Sequence, residues 1–216
     1  MRIAALVAVP LLVVGCSGHS QTSAPSSANT SATSKPPVAS TAPVAGSPIA
    51  GVIAWIEGAH PVDPARYHSA IREGVTTELG DDIAFTAEAA KASCTTDFKH
   101  TGSALTCLVS LTNPLPAPAT AYGEWKGGWV DFDGMRLQVG ATRGDPGPFV
   151  NGNGLELANG DSLLFGDYRC RADQAGLFCV NYAHQSAVRF SAAGVEPFGC
   201  LRSEPPPDGV GTAFSC

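Results

Sequence analysis

Seven cysteines, five histidines and 19 acidic residues set the chemistry open to this 216-residue chain. Nucleophilic hydrolysis needs a nucleophile, a base within hydrogen-bond reach of it and a group that orients the base. Ser162, Asp167 and His184 are the residue types for such a set. No Gly-x-Ser-x-Gly elbow occurs, and the nearest fragment, Thr101-Gly102-Ser103-Ala104, lacks a strand–turn–helix setting. His184 lies in Asn181-Tyr182-Ala183-His184-Gln185-Ser186, which reads as the polar end of a hairpin. Asp131 and Asp133 alternate along one segment and are the types that flank a glycosidic bond or open a calcium loop. Met135, Arg136 and Leu137 break the alternate-ligand pattern, so a hairpin with an Asp133-Gly134 turn is the expectation. No Cys-x-x-Cys occurs and the histidines are scattered, so no zinc site, redox thiol pair or cofactor is expected. No residue is assigned a catalytic role.

Aromatic residues supply a different kind of chemistry. Tyr122, Trp125, Trp129 and Phe132 fall close together around Gly127-Gly128, with Glu124, Lys126 and Asp131 among them. Rings offer large contact area at low entropy cost, and neighbouring polar groups fix a ligand's orientation. Tyr122, Glu124, Trp125, Trp129 and Phe132 are therefore a candidate binding surface for carbohydrate or peptide. The core of a sheet that needs bulky residues would produce the same pattern.

The cysteines divide into one and six. Met1-Arg2 is a short positive start, and the apolar run from Ile3 to Val14 is too short to span a bilayer at ~20 residues. It closes on Val13-Val14-Gly15-Cys16, a lipobox pattern: small Gly15 at the cut and a thiol placed at the interface for alkylation by diacylglycerol. Residues 1–15 are expected to be a lipoprotein signal peptide, with Cys16 the lipid attachment site. Several acyl chains at ~0.8 kcal/mol per buried CH₂ anchor stably where one does not. Outside the cytoplasm the other six, Cys94, Cys107, Cys170, Cys179, Cys200 and Cys216, read as three disulfides. Spacing favours nearest neighbours. Cys170 and Cys179 flank a turn centred on Gln174-Ala175, Cys94 and Cys107 one centred on His100-Thr101, and Cys200 with Cys216 would staple the Pro-rich tail.

The elements that position these groups follow from composition and period. Of the 31 residues 17–47, 23 are Ser, Thr, Pro or Ala and none is aromatic, so residues 16–47 are expected to be a lipidated, disordered tether. Residues 48–216 are expected to form one domain. They hold all 19 acidic residues and 11 of the 13 basic ones, a net charge of −8 that suits a module held off an anionic bilayer. Without clustered Lys and Arg, nucleic acid is not an expected partner. Ser47-Pro48 with Ile49, Val52, Ile53 and Ile56 predicts a helix stopping at Gly58. Asp63-Pro64 with Tyr67, Ala70, Ile71 and Gly74 predicts a second, shorter one. Strands are expected at 83–86, 104–111, 129–132, 163–170, 177–182 and 187–190, with Asn-Gly and Asp-Gly pairs supplying the turns. The fold class expected is α+β: one or two N-terminal helices packed on a mostly antiparallel β-sheet, stapled by disulfides.

Residues of about 80–200 also carry a resemblance. Phe85-Thr86, Lys91, Cys94, Cys107 with Val109, and Pro114 with Pro116 recur in the first half, and Leu157, Gly160, Leu163, Gly166, Arg169-Cys170, Gly176, Cys179, Asn181 and Val188-Arg189-Phe190 in the second. This pattern resembles an actinobacterial family of small, secreted, disulfide-bonded domains of unknown function. The chain departs from it in lacking a middle cysteine pair and having Cys200 and Cys216 instead. From the Cys16 motif to Gly199-Cys200, the whole chain resembles mycobacterial envelope lipoproteins. The resemblance implies an envelope location and a β-rich fold, and transfers no catalytic residue. The expected function is a non-enzymatic binding module, lipid-anchored on the outer face of the cytoplasmic membrane, whose partner is an envelope ligand or protein. A lipid or small-ligand carrier is the alternative, and a secreted hydrolase the one after it.

Overall fold

The computed structural model describes residues 41–144 and 147–216. The expected signal peptide, Cys16 and the expected tether up to residue 40 lie outside the described residues, as do residues 145 and 146.

Helix α1 (Ile49–Glu57) forms where the apolar period predicts it. Pro48 takes the N-cap position, while the Ser47 hydroxyl accepts from the Val44 amide (3.1 Å) and ties down the chain ahead of the helix. Gly58 closes α1 as expected. Strand β1 (His60–Pro61) follows, and Asp63 caps a 3-10 turn at Pro64–Tyr67 by accepting from the Ala65 amide (3.0 Å). The second expected helix ends there. Ala70, Ile71 and Gly74 instead belong to a hairpin of β2 (Ser69–Arg72) and β3 (Val75–Glu78). Its two-residue turn puts Glu73 and Gly74 at φ 53° and 82°, the positive pair a two-residue hairpin turn requires, and Val75-Thr76-Thr77 is β-branched.

The rest is strand. In chain order come β4 (Ala84–Ala87), β5 (Ala92–Asp97), a single helical turn α2 (Phe98–Thr101), β6 (Gly102–Val109), β7 (Trp125–Phe132), β8 (Arg136–Thr142) and β9 (Leu155–Glu156). Then β10 (Asp161–Phe165), β11 (Tyr168–Asp173), β12 (Gly176–Asn181), β13 (Ser186–Ser191), β14 (Gly194–Phe198), β15 (Arg202–Glu204) and β16 (Val210–Ser215) complete it. The segment expected as one strand over 163–170 is two, because Gly166 at φ 49° turns the chain with Asp167. The fold is sheet-dominated, 47% strand against 12% helix, with three disulfides.

Two sheets face each other. One has the order β1-β10-β11-β12-β13-β14, the other β15-β16-β8-β7-β6-β5-β4-β9. All pairings are antiparallel except β1 with β10 and β4 with β9. Leu105, Val130, Phe132, Leu137 and Val139 from the larger sheet share one core with Leu163, Tyr168, Leu177, Val188 and Phe190 from the smaller. Phe132 meets Tyr168 edge-on at 5.8 Å, and the Tyr168 hydroxyl donates to the Phe132 carbonyl (3.0 Å). Burial pushes that hydroxyl's pKa up, and the charges of Asp133 and Asp167 add to the shift.

All three disulfides pair as the spacing predicts. Cys94 lies opposite Cys107 across β5–β6, and Cys170 opposite Cys179 across β11–β12, with both bridges in the shared core. The Cys200–Cys216 bridge joins the chain just after β14, in one sheet, to the residue after β16, in the other.

The outer face of the smaller sheet is covered too. Val52, Trp55 and Ile56 of α1 pack on Phe178, Val180, Ala187 and Phe198, with Trp55 and Phe178 edge-to-face at 4.7 Å. Arg171 stacks its guanidinium 3.5 Å over the Trp55 ring and donates to the Trp55 carbonyl (2.6 Å) near the helix C-terminus, where a cation complements the dipole. Every residue of β12 is therefore buried, which explains the unbroken apolar run Leu177-Phe178-Cys179-Val180.

Candidate functional site

The expected aromatic surface does not form as one face. Strand pleat sends alternate residues to opposite sides, so Val130 and Phe132 of β7 enter the core while Trp129 and Asp131 face outward. Phe132 is 0% exposed, at the centre of the sandwich, and leaves the candidate set. Trp129 is also buried, at 2%, though on the outer side, because the chain at Gly147–Phe149 lies over it and Phe149 meets its ring edge-on at 5.5 Å. Trp125 is half-buried and acts as an anchor: its indole N–H donates to the Leu115 carbonyl (2.8 Å), and its ring lies against Gly140. Glu124 is exposed and pairs with Lys126 (2.9 Å), and Tyr122 stands in solvent at 95% exposure. Gly127-Gly128 is no flexible spacer. A Cβ on Gly128 would collide with the Val109 carbonyl, and one on Gly127 with the Leu115 carbonyl, so these glycines permit close approach at the bulge that opens β7.

One polar cluster survives on this outer face, centred on Asp131. β6–β7 register sets Thr106 opposite Asp131. One Asp131 oxygen accepts from the Thr106 hydroxyl (2.8 Å). The other accepts from the Trp129 indole N–H (3.0 Å) and from the Arg143 guanidinium, which also lies over the Trp129 ring, 5.4 Å from its centroid. Beside it His100 Nδ1 contacts the Asp97 carboxylate (2.7 Å) at the end of α2. Together His100, Thr101, Ala104, Trp129, Asp131 and Arg143 line a hollow of about 420 Å3, with Pro148 on its rim. The Arg143 side chain is 40% exposed there. Arg143, Thr106, His100 and Phe149 were not singled out by the sequence, since nothing local links them to Asp131.

The residues considered for hydrolysis do not assemble. Asp167 and His184 line one hollow at the end of the sandwich, but Ser162 is not among its lining residues. Ser162 is 2% exposed within β10, its hydroxyl unpartnered, and a strand rise of ~3.3 Å per residue puts it roughly 13 Å from the Gly166 turn. Asp131 and Asp133 border a smaller hollow of about 170 Å3 with Arg136 and Gln138. Both oxygens of Asp131 are already taken, and Asp133 accepts from the Met135 (2.8 Å) and Arg136 (2.6 Å) amides as the cap of its turn. That is the Asp-Gly hairpin the sequence predicts. Among the described residues no group of His, Cys, Asp and Glu could hold a metal ion, and no helix is long and apolar enough to cross a membrane.

The sandwich interior is filled by side chains. Phe85, Leu105, Phe132, Leu163, Leu177 and Phe190 are all 0% exposed in the common core. The hollows around it have polar residues in their linings: a groove of about 520 Å3 along β4–β6 includes Glu88, Lys91, Ser93 and Glu156. No family model matches this chain, and no curated protein and no solved structure matches it.

Proposed function

We propose that this chain is a cell-envelope lipoprotein, akin to the mycobacterial lipoproteins it resembles, which displays a non-catalytic binding module. Cys16 carries the lipid, residues up to 47 are the tether, and the α+β sandwich is the module on the extracytoplasmic side. The observation that carries the binding reading is the Asp131 cluster. A carboxylate working as general acid or base needs an oxygen free to exchange a proton with substrate. Asp131 uses three of its roughly four acceptor positions on Thr106, Trp129 and Arg143, so in this reading its work is to hold the shape of a hollow. The hollow presents the remaining N–H donors of Arg143 and the imidazole of His100, a lining suited to a ligand rich in hydrogen-bond acceptors. An envelope ligand or partner protein is the occupant this reading calls for. The wholly buried Phe85, Phe132, Leu163 and Phe190 of the common core support this reading over the carrier alternative.

Two measurements test this reading. In the first, mass analysis of the N-terminal peptide from cell envelopes should find residue 16 first, with diacylglyceryl mass, and Cys16→Ala should lose that mass. An unacylated wild-type N-terminus would end the lipoprotein part. In the second, native mass spectrometry of the protein purified from its own envelope should show a bound mass that falls at least tenfold in occupancy in Arg143→Ala plus His100→Ala. A bound mass indifferent to those substitutions would remove this hollow from the proposal.

A further inference from the structure

The end of the sandwich holds a second hollow, of about 220 Å3, separate from the one over Trp129. Its floor is buried: Ile83, Phe165 and Tyr168 with Thr96 and Asn181. The Phe165 and Tyr168 rings stack with centroids 5.6 Å apart and 19° between planes. Phe98, from α2, adds a third ring and is 54% exposed. The rim is acidic. Asp81 from the loop before β4, Asp133 from the β7–β8 turn and Asp167 from the β10–β11 turn arrive from three separate parts of the chain.

Among the described residues none of these three carboxylates forms an ion pair, although Asp131 and Asp173 each sit in one with an arginine. Asp81 and Asp167 accept no side-chain hydrogen bond either, while Asp133 uses one oxygen on its own turn. His184 is the one basic side chain in the lining. The charges reach the floor, because Asp133 and Asp167 both act to keep the Tyr168 hydroxyl protonated, in addition to its burial.

We infer that this hollow binds a small organic ammonium ion, its apolar body on Phe98, Phe165 and Tyr168 and its cationic group among Asp81, Asp133 and Asp167. Two parts of the geometry choose that class. Aromatic rings attract a cation through their quadrupole and cover an apolar stem, which an inorganic ion does not possess. Three unpaired carboxylates exclude an anion and leave a neutral ligand without the charge complement that the rim offers. Nothing in this assignment depends on the Arg143 hollow or on Cys16.

The test is a ligand-observed NMR titration of the full chain in zwitterionic micelles, with protein-free micelles as the blank. Phenethylammonium and its neutral counterpart 2-phenylethanol are the probes. Phenethylammonium should bind saturably, at least tenfold more tightly than 2-phenylethanol. The Asp81→Asn plus Asp167→Asn variant should lose that tenfold preference while its melting curve stays that of the wild type, since both side chains are exposed and hold nothing else. Phe98→Ala, also at an exposed ring, should weaken both probes together. Equal binding of the two probes would reduce the site to an apolar dent. Failure of both to saturate, or full preference retained without Asp81 and Asp167, would overturn the assignment outright.

Discussion

Removing both core disulfides, by Cys94→Ala with Cys107→Ala and Cys170→Ala with Cys179→Ala, should leave the domain largely unfolded at 37 °C. The bridges close short loops, with sequence separations of 13 and 9. Chain-entropy reasoning gives about 3 kcal/mol for a loop near that length, and the two losses fall in one core where the missing sulfur atoms also leave unfilled space. Their sum is a large part of the roughly 5–15 kcal/mol by which a domain is stable. Far-UV circular dichroism against temperature, with Cys200–Cys216 intact, is the measurement. A midpoint lowered by only a few degrees would show that Phe85, Phe132, Leu163 and Phe190 hold the sandwich without help.

The second large effect is expected at Asp131. Truncation to alanine strands the Trp129 indole N–H and the Thr106 hydroxyl, both on residues almost wholly buried. A buried donor left without a partner costs ~1–3 kcal/mol, so Asp131→Ala should destabilise by about 2–4 kcal/mol in urea unfolding. Arg143→Ala should cost much less, about 1 kcal/mol, because its guanidinium is half in solvent and surface ion pairs contribute little. Equal losses for the two variants would mean that Asp131 is one partner among several and not the centre of the cluster. Asp131→Asn separates the contributions further: it keeps an acceptor for Thr106 or Trp129 while removing the charge that faces Arg143.

Much of the local structure was legible from the chain. Helix α1 announces itself by an i, i+3, i+4, i+7 apolar period with Gly58 behind it. The two core bridges are local as well, since cysteines placed symmetrically about a turn must meet when the strands pair. The strand that became β12 and the Asp133-Gly134 turn were equally visible, though not that both faces of β12 would be buried. The failures share a cause. The second expected helix had an apolar spacing that also suits a hairpin, and Gly74 serves a two-residue turn as well as it would a helix end. Asn151-Gly152 and Asn153-Gly154 promised hairpin turns. Their glycines instead let the chain pass against the Ile71 and Ala84 carbonyls, where a Cβ would collide.

The sequence by itself determined the alternation along β7, the cysteine pairs and the composition that sets residues 17–47 apart from the rest. It did not determine which face of β7 would be covered. Period two separates Trp129 from Phe132, yet both end buried, one beneath the opposing sheet and one beneath Phe149. Only the tertiary structure decided that the C-terminal segment 210–215 pairs with β8 and that Cys200–Cys216 therefore joins the two sheets. It also decided that Arg143 closes on Asp131 and that Asp81, Asp133 and Asp167 surround one hollow. Those are meetings between residues distant in the chain. They form because burying the common core brings the strands to these registers, and no short-range pattern records that.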